Sequence, residues 1–499
     1  MKERIGKIVA IAFLSGILAA GAATAETVPR YGTAEIVLLS SASYSGDSGE
    51  PNPFDFEVTA QVTSPSGRRY TVAGFFDGDG EGGAVGRVFK VRIAADETGA
   101  WKWTVTSDVP GLDRRAGEFA VAGRLPGFFG RGPIVESPAW PRVFQQQSGG
   151  PVFLAGKFLD VAAPSPLQFS HTMFSEALSD ADRQAMLDRH LGMRLNKVNV
   201  YLANRGDYGG VSTTPWVGTA AANDKGRFDL RRWRTYDRWV ERMRDAGVVA
   251  QLWFFADDSG FGDLPDADRR RLIRYGMARL SGYVNTMLTL ALEWQEGWSA
   301  EEIHATGDFL QRNNPWARLV SVHGVTGDFA FPTAPWVDYL DLQAGNDASH
   351  PAVHALGLAN HAAKPLIQEE LGLGEENTAN RQKAWAAFTA GAAGVGTGAF
   401  LAHLAKFASV VDFARMDPAD SLVLSGDAYA LAEKGRAYVL YFYEGGTVRV
   451  NLRSARGRFT VDWYDPRDGS FRPAAAVRGG RVLAFTAPSQ GDWVLYIHR

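Results

Sequence analysis

The chain has 499 residues, a formal net charge of −3 and no cysteine. A charge so close to balance gives no strong field for nucleic acid or an anionic membrane surface, so the expected partner is neutral or weakly charged. The lack of cysteine excludes disulfides, thiolate chemistry and cysteine zinc sites. The length suits about three domains, each able to bury a core.

The N-terminus has the three-part pattern of a secretory signal. A basic start precedes an apolar run from Ile8 to Ala20, and Ala23-Thr24-Ala25 supplies the small residues of a cleavage site after Ala25. The alternative is a membrane anchor, but the run is shorter than the about 20 residues that span a bilayer. We therefore predict a signal peptide at residues 1–25, no membrane insertion, and a secreted or periplasmic protein.

The next segment, residues 26–123, is predicted to be an immunoglobulin-like β-sandwich. Short alternating runs such as Trp101-Lys102-Trp103-Thr104-Val105 are separated by turn signals. Alternation with a period of two and turns at this spacing is typical of antiparallel sheets. The glycine- and proline-rich stretch 123–133 indicates a linker.

Residues 124–420 are predicted to form a (β/α)₈ barrel. Apolar runs alternate with amphipathic helical segments, which is the pattern of parallel βα units, and eight strands close a barrel. The candidate strands are 151–156, 197–202, 248–255, 286–294, 319–323, 339–343, 365–370 and 394–401. Helices are predicted at 180–190, 229–246, 266–280 and 378–390.

The strand pattern returns in residues 421–499, which are predicted to form a second, smaller β-sandwich. The run 437–443 is rich in tyrosine, valine and leucine, and the pairs Gly445-Gly446 and Gly479-Gly480 separate such runs. Glycine pairs between alternating runs favour tight hairpins.

Two of the predicted barrel strands lead into glutamates, Glu293 in strand four and Glu370 in strand seven. Reactive groups in this fold lie at the C-terminal ends of strands, and these two strands face each other across the mouth. Glycosidic cleavage needs one carboxylic acid to protonate the leaving oxygen and one carboxylate to attack or to activate water. Each glutamate alone could have an ion-paired structural role, but the pair predicts a glycoside hydrolase.

Two neighbouring glutamates remain alternatives. Glu369 should point to the opposite face of the strand from Glu370, but a register shift of one residue would make Glu369 the nucleophile. Glu296 lies three residues after Glu293 and would lie near it if the loop turns helical.

Further polar and aromatic residues at strand ends form a predicted sugar-binding surface. Aromatic rings suit the apolar faces of sugars, although any single ring is better explained as core, and any single Asn or Asp as a loop cap. The residues are Asn199, Tyr201, Trp253, Asp257, Asp258, Trp294, His323 and Gln343. No cluster of Arg or Lys stands among them, so the expected substrate is a neutral or weakly charged oligo- or polysaccharide.

No metal or cofactor is predicted. His350 and His354 have helical spacing, but the Glu of the His-Glu-x-x-His zinc motif is missing and Pro351 follows His350. The stretch 78–83 lacks the full ligand set of a calcium loop and is predicted to be a hairpin turn. There is no glycine motif that would cradle a phosphate.

The order of strands, with a Glu after the fourth and Glu370-Leu371-Gly372 after the seventh, resembles the retaining clan A glycosidases. This resemblance implies that Glu293 is the acid/base and Glu370 the nucleophile. Leu292 departs from the clan, whose usual Asn at that place contacts the sugar 2-hydroxyl. The departure favours a second hypothesis, a catalytically inactive protein that binds polysaccharide.

A closer resemblance covers nearly the whole mature chain. The motifs at 52–54, 74–80 and 99–103 resemble the N-terminal β-module of uncharacterised function that precedes apiosidase-like barrels. The motifs at 462–467 and 491–495 resemble the C-terminal module named a collagen-binding domain in such proteins, a name that is not evidence for collagen. The barrel resembles these proteins more loosely, so the resemblance does not imply a substrate.

Overall fold

The computed structural model describes the backbone of 9–12 and residues 27–157, 178–203, 214–219, 222–255, 264–325, 331–345, 347–361, 364–372, 377–396 and 401–499. Within these ranges, eight parallel strands form a nearly closed barrel, and sheets with mostly antiparallel pairing precede and follow it along the chain. None of the helices in these ranges has the length and apolar character that crossing a bilayer requires.

Two sheets precede the barrel, and their strands within residues 28–124 are called the N-terminal module below. One sheet has the strand order Val9–Ala12, Thr33–Ser45, Val85–Ala94, Phe75–Phe76, and the other Val28–Arg30, Ala116–Arg124, Gly99–Ser107, Val58–Thr63, Arg69–Ala73. The predicted alternation is present, because Trp101, Trp103 and Val105 are buried while Lys102 and Thr104 between them are exposed.

The barrel strands follow one another around a single sheet. They are β1 (Leu154–Lys157), β2 (Lys197–Ala203), β3 (Val249–Phe255), β4 (Thr286–Ala291), β5 (Val320–Ser321), β6 (Leu340–Gln343), β7 (Leu366–Glu369) and β8 (Gly394–Gly396). β8 pairs with β1, and a parallel bridge between His323 and Asp341 joins β5 to β6. The predicted eight-stranded parallel barrel is thereby confirmed.

Three predicted strand bounds are wrong. The fourth strand ends at Ala291 instead of Trp294, where a 3₁₀ turn begins. Pro151–Val152 belongs to a separate antiparallel sheet, so the first barrel strand begins at Leu154. The eighth strand ends at Gly396, and Leu401 already begins a helix. The reason is that a short apolar run does not distinguish a buried strand from a buried helix.

Seven α-helices accompany the strands in the described ranges. They are α1 (Asp180–Gly192), α2 (Leu230–Asp245), α3 (Asp266–Leu280), α4 (Ala300–Arg312), α5 (His350–Asn360), α6 (Thr378–Thr389) and α7 (Leu401–Ala408). Ser179 and Ser299 begin α1 and α4 with capping boxes, and the Asp229 side chain caps α2. The four predicted helices are confirmed to within two residues at each end.

Shorter elements connect these helices and strands. A hairpin pairs Trp216–Gly218 with Asn223–Phe228. In the part of the chain that the structure describes, four 3₁₀ turns lie at Phe128–Arg131, Trp294–Glu296, Phe413–Arg415 and Asp420–Leu422. A small sheet of Ile134–Glu136, Phe144–Gln146 and Pro151–Val152 packs on the N-terminal ends of the barrel strands, where Phe144 shares a core with Leu154 and Ile367. This end of the barrel is therefore closed, and the opposite end carries the candidate site.

Two sheets follow the barrel and form the C-terminal module, residues 417–498. One has the order Asp417–Pro418, Ala428–Glu433, Ala437–Phe442, Trp493–His498, Arg458–Asp465, Ser470–Arg478, and the other Val423–Ser425, Thr447–Asn451, Val482–Thr486. This module is joined to α6 by buried Arg381, which donates to both carboxylate oxygens of Asp492 at 2.8 Å.

A buried ionic cluster joins the N-terminal module to α2 and α3. Arg92 donates to Asp237 at 2.5 Å and to Glu35 at 2.8 Å, while Arg279 donates to Asp237 at 2.6 Å and pairs with Asp77 at 2.8 Å. All five side chains are buried. Removing one partner of such a cluster leaves an uncompensated charge in a medium that solvates it poorly.

Because of this cluster, the free energy of unfolding should depend on pH. Burial by itself raises the pKa of Asp237, but Arg279 and Arg92 outweigh it and lower the pKa to about 2. The stabilisation of the folded state by ionised Asp237 is complete above about pH 4, the pKa of an Asp in the unfolded chain. This stabilisation is lost as the pH falls towards about 2. In urea unfolding, the stability difference between the protein and Asp237→Asn should narrow by about 2 kcal/mol from about pH 5 to about pH 2. A stability difference that stayed the same across this pH range would contradict a lowered pKa for Asp237.

Candidate active site at the barrel mouth

Both predicted catalytic glutamates lie just beyond barrel strands. Glu293 is two residues past the end of β4, and Glu370 follows the last residue of β7. Because all the barrel strands are parallel, their C-terminal ends lie at one end of the barrel. The two carboxylates therefore belong to the face on which barrel enzymes carry their reactive groups.

Glu293 begins the short 3₁₀ turn Trp294–Glu296 and is partly exposed. Gln343, at the end of β6, donates its side-chain amide to Glu293 Oε1. The backbone N–H of Trp294 donates to the carbonyl of His323 at 3.2 Å, which ties the turn to the end of β5. Of the predicted site residues, Gln343 thus contacts Glu293 directly, and His323 holds the neighbouring Trp294 through its backbone carbonyl.

Glu370 is 8% exposed and lies beside β8, because the N–H of the next residue, Leu371, donates to the carbonyl of Gly396 at 3.3 Å. Glu370 and Glu293 share a backbone feature, a positive φ of 50° and 41°. The left-handed region is uncommon for residues other than glycine and costs on the order of 1 to 3 kcal/mol. Such strain persists where the surroundings require it, and it is concentrated at active sites.

Glu369 has a different environment from its neighbour. It is fully buried in the barrel and pairs with Lys197 of β2, whose ammonium also donates to Asn199 and Gln251 at 2.7 Å. Gln251 in turn donates to Asp341 at 2.8 Å. We call these five side chains the polar floor. Within it, predicted site residue Asn199 is a partner of Lys197.

Two glycines make room for the polar floor. A Cβ at Gly156 of β1 would overlap the end of Lys197, and one at Gly396 of β8 would overlap a carboxylate oxygen of Glu369. Burial, and then the nearby Glu369 carboxylate, raise the pKa of Asp341 well above its ordinary value. Burial also lowers the pKa of His323 to about 3, and Lys197 acts in the same direction, so His323 is neutral near neutral pH.

The predicted aromatic residues are mostly covered. Tyr201, Trp253 and Leu292 pack together, and the Trp253 ring lies 5.4 Å from those of Tyr201 and His323. All four side chains are at most 3% exposed, so they form a wall of the barrel end. Trp294 is 9% exposed and packs on Phe331 at 4.9 Å between ring centroids. Asp257 and Asp258 lie outside the described residues.

Lys197, Gln251 and Asp341 were missed as site residues by the sequence reasoning. The sequence does contain a pattern that indicates Lys197. Lys197, Asn199 and Tyr201 alternate with apolar residues along β2, as residues facing a barrel interior do. The partners come from strands far apart in the chain, so no local pattern could have assigned the pairs.

Among the described residues, no group of three or more His, Asp or Glu side chains could hold a metal ion. His354 instead pairs with Asp420 at 2.8 Å, and His350 contacts the Tyr429 hydroxyl at 3.0 Å. The stretch 78–83 connects two antiparallel strands, and the Asp79 carboxylate accepts the Gly83 N–H at 2.8 Å, which confirms the predicted hairpin.

Comparison with known proteins gives a family match for each of the two flanking modules. Residues 27–108 match the family described as "Domain of unknown function (DUF5060)", and residues 418–498 the family described as "Putative collagen-binding domain of a collagenase". Among curated proteins, none matches the sequence.

Solved structures with a similar fold are glycoside hydrolases. A "putative glycoside hydrolase" from Bacteroides vulgatus ATCC 8482 has a TM-score of 0.74 at 16% identity, over 95% of this chain and 99% of that chain. A glycoside hydrolase of family 5 from the same organism has a TM-score of 0.60 at 16% identity, over 75% of this chain and 95% of that chain. The likeness shows a shared fold, a barrel with attached β-sheets.

Proposed function

We propose that this protein is an exported glycoside hydrolase that cleaves an oligo- or polysaccharide with retention of configuration. The observation that carries the proposal is the pair Glu293 and Glu370, which follow β4 and β7 of a glycosidase-type barrel in the same strained backbone conformation. Two such carboxyl groups are what retaining hydrolysis requires. Cleavage of the signal after Ala25 and the predicted division at residues 26–123, 124–420 and 421–499 belong to the same proposal.

In the first step, the Glu370 carboxylate attacks the anomeric carbon while Glu293 protonates the departing oxygen, and a glycosyl ester on Glu370 forms. In the second step, Glu293 takes a proton from water as the water attacks the same carbon and releases Glu370. The Gln343 amide, which donates to Glu293 Oε1, fixes the orientation of that carboxyl group.

The environments of the two neighbouring glutamates, one buried and one exposed, support this assignment. Glu369 is paired with Lys197 below the mouth and has no exposed surface with which to meet a sugar. Glu296 is exposed, at the far end of the 3₁₀ turn. Leu292 is buried against Tyr201 and Trp253, which leaves the 2-hydroxyl to another group and favours a furanose or a branched pentose such as apiose.

The test begins with release of reducing sugar from a panel of plant, algal and bacterial polysaccharides, followed by NMR of the first-formed anomer. Retention is expected. With an activated aryl glycoside of the sugar found, azide should rescue Glu370→Gly and Glu293→Ala and give glycosyl azides of opposite configuration. Inversion of the first product would refute the mechanism. Binding in a gel-shift assay with no sugar released from any polysaccharide would favour the inactive binding protein.

A further inference from the structure

Exposed arginines are concentrated at one end of the C-terminal module. Arg458 and Arg478 are direct partners on neighbouring antiparallel strands, and beside them the N–H of Gly479 donates to the carbonyl of Gly457 at 3.0 Å. Four further exposed arginines lie on the loops and the chain end next to this pair. We call the six side chains the arginine patch, which consists of Arg453, Arg456, Arg458, Arg478, Arg481 and Arg499.

Backbone contacts join the loops that carry the other four arginines. The N–H of Leu452 donates to the carbonyl of Arg481 at 3.1 Å, so Arg481 lies beside Leu452 and the arginine that follows it. Arg499 follows the last strand of the module, and its side chain donates to the carbonyl of Arg456. Arg456 is itself only two residues before the paired strand position. The six arginines therefore belong to one continuous surface.

The positive charge of the arginine patch is not balanced by carboxylates. Residues 445–461 and 473–491 contain five of the six arginines and no Asp or Glu. The ion pairs of this module, within the described part of the chain, are made by other residues, and Asp462 is paired with His498 at 2.9 Å. Like charges directly opposite each other in a sheet are destabilising, so an anion bound between Arg458 and Arg478 would relieve their repulsion.

The kind of cation and its position indicate a ligand. Charged residues protect exposed sheet edges, but only Arg478 of the six lies on the edge strand, Ser470–Arg478. The two stretches contain no lysine, and the planar fork of arginine matches the paired oxygens of a carboxylate or a similar oxyanion. We infer that the arginine patch binds an acidic polysaccharide, whose sugar units carry carboxylate or sulfate groups.

Other polyanions match this surface less well. A helix that binds an anionic membrane adds apolar side chains that enter the bilayer, and proteins that bind single-stranded nucleic acid add aromatic rings that stack on bases. The residues between the arginines of each loop are instead serine, alanine and glycine. Phe459 is fully buried, with the Arg499 guanidinium 4.8 Å from its ring centroid. The choice of a polysaccharide also rests on the proposed function, an exported enzyme that acts on glycans.

The test is binding of polygalacturonate and of dextran sulfate to the full-length protein, measured by calorimetry, with uncharged dextran as the control. We expect binding of at least one acidic polymer at about 50 mM NaCl, weakened about tenfold or more at about 300 mM, because salt screens exposed charges. The two polymers distinguish carboxylate from sulfate as the recognised anion. Turnover is not measured, so failure of this inference is distinguishable from failure of the proposed hydrolase.

Three outcomes of these measurements would overturn the inference. They are no binding of either acidic polymer, equal binding of dextran, and tighter binding of duplex DNA or of phosphatidylglycerol vesicles than of both acidic polymers.

Variants then locate the site. The double variant Arg458→Gln, Arg478→Gln should weaken binding about three- to thirtyfold, the scale of two solvent-exposed ion pairs. The double variant Arg453→Gln, Arg456→Gln should weaken it to a similar extent, and it leaves the strand pair intact. This second variant therefore tests the patch even if the first fails to fold. Urea unfolding checks that each variant is folded.

The matched control is the double variant Arg69→Gln, Arg124→Gln. It removes the same charge from two exposed arginines of the N-terminal module and should bind as the unaltered protein does. Equal weakening by this control and by both patch variants would show that net charge alone attracts the polymer, and the assignment to the arginine patch would be refuted.

Discussion

Replacing Glu370 with glutamine is expected to lower kcat by on the order of 10⁴-fold or more, because an amide cannot form the glycosyl ester. The amide has nearly the same shape, so the folded structure should persist. The measurement is the rate of sugar release from the substrate found in the polysaccharide panel, together with urea unfolding of the variant. A stable variant with no turnover would separate a catalytic from a structural role.

Glu296→Gln is the control for this prediction. Glu296 is exposed and only three residues from Glu293, so its loss removes a nearby charge without removing either proposed catalytic group. Its kcat should stay within about threefold of the original, since surface substitutions change little. If Glu296→Gln were inactive and Glu370→Gln retained turnover, the assignment of the two glutamates would be wrong.

Replacing Lys197 with methionine should lower the free energy of unfolding by about 3 to 5 kcal/mol. Methionine fills much of the same space, but the Glu369 carboxylate would remain buried without its cation, and the Asn199 and Gln251 side chains would lose a donor. Urea unfolding at neutral pH measures the loss. Lys434→Met, at an exposed lysine of the C-terminal module, should change stability by less than about 0.5 kcal/mol.

The double variant Lys197→Met, Glu369→Gln tests the physical reason. If the loss comes from an unpaired buried charge, removing that charge as well should restore more than half of it. If the double variant instead loses the sum of what the two single variants lose in free energy of unfolding, Lys197 contributes by packing. The polar floor is then not held together by charge.

The barrel and the positions of Glu293 and Glu370 could be predicted because they depend on local patterns. Buried parallel strands are short apolar runs between helices, and the residue after each run lies at the mouth whatever its partners are. The same logic could not give the pairing of Lys197 with Glu369, which joins β2 to β7, or the cluster of Arg92 with Asp237. Such contacts depend on how distant segments meet.

The aromatic residues show a second limit of sequence reasoning. Trp253 is near the end of an apolar run, as a residue lining a sugar site would be, yet the ring is fully buried between Tyr201 and His323. Alternation along a strand tells which face a side chain occupies, but not whether neighbouring strands cover it. The depth of a residue below the barrel mouth is a property of the whole ring of strands.

The buried ion pairs on both sides of the barrel bear on how the protein would engage an insoluble glycan. In many multidomain enzymes a flexible linker connects an accessory binding domain to the catalytic domain. Binding by the accessory domain then raises the effective concentration of the catalytic domain at the surface. Here Arg92 with Asp237 on one side, and Arg381 with Asp492 on the other, would have to separate in a nonaqueous interior before either module could swing. On the function proposed above, a glycan would therefore have to come to a barrel mouth whose orientation relative to both modules is already set.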